Sequence, residues 1–249
     1  MALTKRHKVQ MIIFSILCVS ALILQRFVFN TLPIRYPNFG ISIPGGYTTH
    51  GIDVSRYQKN IDWDAVCEME DRGHRISFAI IKATEGLQSK DPYFDKNWRN
   101  IEKAPLIRGA YMYFHPGKNG NKQAAFFAEH VKLKKGDLAP VVDIEETNRS
   151  NTEKIKKNLQ DCLLALENIY HTKPIIYTNV DFYNQILGSD FDEYPFWAAH
   201  YQQLHEPRTD RDWSIWQHSD RGHVNGIEAY VDFNVVNGSI DALKKLCLE

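Results

Sequence analysis

What this chain of 249 residues lacks narrows it first. Its four cysteines, Cys18, Cys67, Cys162 and Cys247, are too few and too widely spaced to form a disulfide framework or a metal-ligand pattern. Neither sign of charge is in excess: 30 Lys+Arg balance 30 Asp+Glu, so no overall basic field invites nucleic acid. The ten histidines include no HxxxH or HxH pair, and no glycine-rich phosphate loop follows the first apolar run. Nothing therefore calls for a metal, a nucleotide or another cofactor. A membrane-spanning run of roughly 20 apolar residues is also missing, because residues 11–24 are apolar but fall short of that length.

That shorter run has a meaning of its own. Lys5, Arg6, His7 and Lys8 precede it, and a basic flank ahead of an apolar core is an export signal. Val19-Ser20-Ala21 offers small residues for cleavage, while Phe27, Val28 and Phe29 prolong the apolar character, so residues 1–29 read as a signal peptide or a retained anchor. The anchor, with its positive end inside, is preferred. Residues 30–49 carry Pro33, Pro37, Pro44, Gly40, Gly45 and Gly46 without helical period and read as a linker. A single domain is expected over residues 50–249, exported to the cell envelope and monomeric.

With 43% hydrophobic and 24% charged residues, that domain is an ordinary globular chain around one core. Short β-like runs recur at residues 51–54, 78–82, 109–114, 139–144, 174–178, 195–199, 214–217 and 229–233. Helical patterns over residues 62–67, 93–103, 122–133 and 152–170 separate the first five, which argues for parallel pairing. After Pro195 the intervals are too short for crossover helices. The pattern predicts an irregular (β/α) barrel of eight strands whose last strands lack helices. Cys162, among Leu159, Leu163, Leu164 and Leu166, reads as a small core residue rather than a nucleophile.

The chemistry concentrates in Val141-Val142-Asp143-Ile144-Glu145-Glu146. Residues two apart on a strand face the same way, so an apolar run delivers Asp143 and Glu145 together to the end of a buried strand, where α/β enzymes keep their chemistry. Two carboxylates about 7 Å apart on one face resist simultaneous ionisation, so one can stay protonated while the other stays charged. Glu146 alternates to the opposite face and reads as structural.

The wording of the strand ends is specific. His50-Gly51-Ile52-Asp53-Val54-Ser55-Arg56-Tyr57-Gln58, Ile61-Asp62-Trp63, Ile81-Lys82-Ala83-Thr84-Glu85-Gly86, Arg108-Gly109-Ala110-Tyr111, Gln123-Ala124-Ala125-Phe126-Phe127, Asp143-Ile144-Glu145, Ile176-Tyr177-Thr178-Asn179, Ile215-Trp216-Gln217 and Val231-Asp232-Phe233-Asn234 follow in order. Taken together they resemble the glycoside hydrolase family 25 lysozymes, the Chalaropsis-type muramidases, over roughly residues 50–240. The resemblance implies a flattened eight-stranded barrel with fewer than eight helices. It also implies cleavage of the β-1,4 bond between N-acetylmuramic acid and N-acetylglucosamine in peptidoglycan.

By that resemblance Asp53, Asp143, Glu145 and Asp232 are the site acids, with Glu145 the general acid. Asp143 is its charged neighbour, acting as stabiliser, as base for a water or as nucleophile. Carboxyls about 5–5.5 Å apart suit double displacement and roughly 6.5–9.5 Å inversion, a difference that strand geometry does not resolve. A substrate-assisted route through the N-acetyl group is preferred. Asp53 could instead cap a turn, and Asp232, between Val231 and Phe233, could hold Asp143 or substrate through a hydrogen bond.

Sugar rings pack on aromatic faces, which makes Tyr111, Tyr177, Trp197 and Trp216 substrate-binding candidates. Tyr113 shares a face with Tyr111, and the resemblance favours Tyr111. Trp216 and Gln217 alternate, so only one can face the barrel mouth; Gln217 is counted with the binding residues. Trp63, Trp98 and Trp213 read as packing or surface residues, and Glu85 as a cleft residue or a loop salt bridge. Two functional classes follow, a muramidase and a non-catalytic barrel that binds peptidoglycan or another glycan, and the intact acid pair favours the enzyme.

Overall fold

The computed structural model describes residue 11, residues 13–20 and residues 32–249. Of twelve strands among the described residues, β1 (Ile34–Tyr36), β2 (Ile41–Ile43), β4 (Glu70–Asp71) and β6 (Ser89–Lys90) lie outside a barrel that eight close: β3 (His50–Val54), β5 (His74–Glu85), β7 (Ile107–Tyr113), β8 (Val141–Asp143), β9 (Ile175–Asn179), β10 (Phe196–Ala199), β11 (Ile215–Gly222) and β12 (Val231–Val236). All eight expected strands are present. The first seven run parallel in that order, while β12 lies antiparallel to both β11 and β3 and closes the ring. The β11–β12 connection is too short for a crossover helix, so the chain turns back as a hairpin.

Parity sets what each strand contributes. Phe78, Ile80, Val141, Ile175, Trp197, Ile215 and Val236 fill the barrel interior, whereas Ala79, Ile81, Val142, Ile144, Ile176 and Ala198 face the outer layer. Further along the inward parity come Asp53, Tyr111, Asp143, Tyr177, Gln217 and Asp232. Gly51 is needed inside, because a Cβ there would stand 2.4 Å from the Phe78 ring.

Helices α1 (Trp63–Glu68), α2 (Phe94–Ile101), α3 (Gly120–His130) and α4 (Thr152–Tyr170) separate the early strands. Helix α4 starts where the Asn151 side chain accepts from the Lys154 N–H and ends at His171 in the left-handed region (φ 56°). It buries Ile155, Leu159, Cys162, Leu163 and Leu166, one stripe at helical spacing. Trp63 and Trp213 are buried packing residues, and Trp98 stacks on Phe94.

One boundary differs from expectation. The stretch expected as a linker is structured from Ile34: β1 (Ile34–Tyr36) and β2 (Ile41–Ile43) form an antiparallel ribbon. Tyr36, Phe39, Ile41 and Ile43 join the outer core, Phe39 with its ring 5.2 Å from that of Phe233. Apolar residues between the prolines and glycines drive this packing; breaker composition alone does not make a tether. The signal or anchor at residues 1–29 lies mostly outside the described residues. Residues 13–20 are helical with exposed side chains, and among the described residues no helix is long and apolar enough to cross a membrane.

Candidate active site

The carboxyl ends of the parallel strands surround a pocket of about 170 Å³ lined by Asp53, Tyr111, Asp143, Glu145, Tyr177, Trp197, Tyr201, Gln217 and Asp232. Every expected site residue is there. Asp232 arrives from the amino end of its strand, because β12 runs in reverse.

Strand β8 ends at Asp143, yet Ile144 still donates its N–H to the Tyr177 carbonyl at 3.0 Å. That bond keeps the chain extended long enough for Glu145 to point back to the side of Asp143. The two carboxyls are hydrogen-bonded, which requires a proton between them. Burial raises Asp143 well above the ordinary carboxylate range, and Glu145, as neighbouring charge and as acceptor, raises it further. Glu145 is also raised, by burial first, but the bond from Asp143 opposes that shift. Both members of the pair are thus raised, and they differ in depth: Asp143 is buried, with no hydrogen-bond partner for its Oδ1 among the described residues, whereas Glu145 is only partly buried.

A second carboxyl pair stands across the pocket. Asp53 Oδ2 accepts from Gln217 Nε2 at 2.9 Å and from Asn234 Nδ2 at 2.8 Å. Those bonds favour its charged form against burial, leaving it at about 6. Asp232, hydrogen-bonded to Asp53, is pushed to about 9 by burial and then by the Asp53 charge. Asp232 is thus the protonated member at neutral pH. It bonds Asp53 and not Asp143, one of the two partners expected for it; the other was substrate.

The amides that fix Asp53 are themselves fixed. Tyr177 and Tyr201 donate their hydroxyls to Gln217 Oε1 at 2.8 and 2.7 Å, and Trp197 Nε1 donates to Asn234 Oδ1 at 2.7 Å. With their oxygens occupied, both side-chain amides must present N–H to Asp53. Tyr201 and Asn234 are the two participants that sequence reasoning missed. Asn234 shares strand parity with Asp232 and was reachable by that route; Tyr201 lies in an irregular loop with no period to find it.

The remaining alternatives resolve by parity and partners. Trp216 is fully buried in the outer layer, its Nε1 donating to the His200 carbonyl at 2.8 Å, and leaves the mouth to Gln217. Glu85 pairs with Lys82 Nζ at 2.7 Å and His115 Nε2 at 3.4 Å, outside the pocket. Tyr113 lies under Lys82 Nζ, 4.8 Å from the ring centre. A hollow of about 330 Å³ continues past Glu145, Tyr177 and Tyr201 along Asn179, Asp181 and His200, so the pocket is one part of a longer groove. Among the described residues no group of three or more His, Cys, Asp or Glu is arranged to hold a metal.

Paired carboxyls that divide one proton, set among rings and amides in an open groove, are the equipment of a glycosidase. The model of the glycosyl hydrolases family 25 matches residues 52–227, and the chain belongs to that family. Uncharacterized protein YegX of Escherichia coli K12 is 45% identical over 207 residues, covering 83% of this chain and 76% of YegX. Lysozyme M1 of Streptomyces globisporus is 33% identical over 211 residues, 79% of this chain and 70% of that protein. Among solved structures, a family 25 glycosyl hydrolase from Bacillus anthracis superposes with a TM-score of 0.72 at 30% identity, covering 81% of this chain and 94% of that one.

Proposed function

We propose that this family 25 hydrolase is a lysozyme. It cleaves the β-1,4 bond between N-acetylmuramic acid and N-acetylglucosamine in peptidoglycan, with Glu145 as general acid and Asp143 directing the substrate's own N-acetyl group. The observation that carries the roles is the shared proton of Asp143 and Glu145 beside an Asp143 oxygen that has no partner among the described residues. Kinship with lysozyme M1 supports the substrate class.

In the resting site the pair holds one proton beside the Asp143 Oδ1. A 2-acetamido sugar bound above it brings an N–H to the Asp143 Oδ1, and a hydrogen bond donated to a carboxylate favours its charged form. The proton then passes to Glu145, which delivers it to the glycosidic oxygen as the C1–O bond breaks. The acetamido carbonyl oxygen closes on C1 as the leaving sugar departs. Water, giving its proton to Glu145, then opens that ring and regenerates the acid. Asp53, held charged by Gln217 and Asn234, keeps Asp232 neutral and able to donate to the sugar. The basic stretch ahead of the apolar run at residues 11–24 supports export to the envelope, through a cleaved signal or a retained anchor.

The test incubates the whole purified chain with peptidoglycan and counts new reducing ends, beside Glu145→Gln. The wild type should release them and the variant should be slower by roughly 10²–10⁴, the usual worth of a general acid. No release by the wild type, or equal rates, overturns the assignment; a non-catalytic glycan-binding barrel would bind the wall and release nothing.

A further inference from the structure

Next to the active site lies a hollow of about 490 Å³ lined by His115, Gly117, Lys118, Asn148, Arg149, Ser150, Asn151 and Lys154. Three cations and no carboxylate line it. Elsewhere on this surface some basic side chains pair with acids, as Lys90 does with Asp95 and Lys173 with Glu193, and others stand singly; here three gather around one concavity. Among the described residues no carboxylate comes within 4.0 Å of Lys118, Arg149 or Lys154. In a chain with no net charge, three unpaired cations around one concavity raise the local potential and favour an anion there.

The hollow is tied to the chemistry. Asn148 follows Glu145 by three residues, which puts their Cα atoms at most roughly 11 Å apart. Asn148 Nδ2 lies 3.3 Å from His115 Nδ1, and His115 Nε2 lies 3.4 Å from Glu85, whose other oxygen holds Lys82. Lys82 in turn bears electrostatically on both Asp143 and Glu145. One continuous wall therefore joins the cationic hollow to the acid pair.

We propose that this hollow binds the carboxylates of the peptide stem carried by the muramic acid residue, an inference that rests on the lysozyme reading above. The stem is the acidic group covalently fixed to the sugar being cleaved. About four extended residues of it reach roughly 14 Å, more than the roughly 11 Å limit between the Cα atoms of Glu145 and Asn148, which lines the hollow. Stem recognition adds binding energy remote from the reacting bond, which can be used to orient the sugar.

The test compares the whole chain with the triple variant Lys118→Gln, Arg149→Gln, Lys154→Gln and with the charge-keeping variant Lys118→Arg, Arg149→Lys, Lys154→Arg. Each is assayed on peptidoglycan and on the same glycan after an amidase has removed the stems. The neutral variant should lose about tenfold in kcat/KM on the stemmed wall, mostly through KM, and stay within about twofold of wild type on stripped glycan. The charge-keeping variant should resemble wild type on both. Equal losses on both substrates, or no loss on the stemmed wall, overturn the stem site while leaving the lysozyme reading intact. No wild-type release from either substrate overturns both. If the loss appears only when wall-linked phosphate polymers are present, the hollow takes phosphodiesters and the stem assignment is wrong.

Discussion

Asp232 stands directly opposite Asp53 across the antiparallel β12–β3 ladder, and the two carboxyls are hydrogen-bonded. Like charges in such a pair cannot both ionise at modest cost, so one proton remains through the neutral range. Two amide donors on Asp53 decide which member gives it up first.

Replacing Asp232 by Asn keeps a neutral donor beside Asp53, so Asp232→Asn should retain activity within about tenfold of wild type. Asp53→Asn keeps an acceptor oxygen for the Gln217 and Asn234 amides but removes the negative charge that they hold in place. It should lose at least about a hundredfold in kcat/KM. Reducing-end assays on the two variants check the order; Asp232→Asn proving the worse would show that Asp232 works as an anion.

The same pair makes stability depend on pH. Asp232 is raised from 3.8 to about 9 and Asp53 from 3.8 to about 6. A carboxyl raised on folding contributes stability that is complete below its unfolded value and lost as pH rises through the folded one. Unfolding measured by denaturant should therefore show this pair's share of the stability falling from about pH 4 towards pH 9, with Asp232 giving the upper part; buried His50 and His218, both lowered from 6.5, oppose that fall below about pH 6.5, and Asp143, raised by burial, adds to it. In Asp232→Asn that upper part should vanish, and at pH 8 its Tm should exceed the wild type's, at roughly 2–4 °C per kcal/mol relieved. A variant with an unchanged pH slope would contradict the pairing.

If the Asp143 Oδ1 receives the substrate's acetamido N–H, then Asp143 and that acetamido group act as one unit. Asp143→Asn should slow hydrolysis of N-acetylated peptidoglycan by roughly 10²–10³, the order expected when a preorganised electrostatic partner is removed. On de-N-acetylated glycan the wild type should already be slow, and the same substitution should cost little more, the non-additivity of groups that act together. Equal fold-losses on both glycans would rule out substrate assistance.

Much of this was legible because a barrel repeats one simple rule. Alternation along β8 put Asp143 and Glu145 on one face and set Gln217 against Trp216, while Asp53 and Asp232 joined the site through the resemblance of the strand-end motifs. What was not legible depends on contacts distant in sequence. The reversal of β12 follows from a short connection whose polar residues could equally have led outward. The seating of Phe39 against Phe233 joins residues 194 positions apart, and no local period announces it. Nor does strand parity separate Asp143, which is buried, from Glu145, which is only partly so.

The seating of β1 and β2 makes its own prediction. Phe39 is fully buried between the ribbon and the barrel, its carbonyl accepting from the His223 N–H at 2.9 Å and its own N–H donating to Asp71 at 3.3 Å. Truncating a buried phenylalanine costs about 3–5 kcal/mol, so Phe39→Ala should lower Tm by roughly 6–20 °C at 2–4 °C per kcal/mol. The ribbon packs on the outer face of β12, where Phe233 points away from the Asp232 and Asn234 side chains, so kcat on peptidoglycan at 20 °C should stay within about twofold. A chain shortened to begin near residue 45 loses Tyr36, Phe39, Ile41 and Ile43 together and should unfold at still lower temperature, which thermal melts of the three proteins would show. If the shortened chain melts with wild type, residues 34–43 are the tether their composition suggested and not part of the domain.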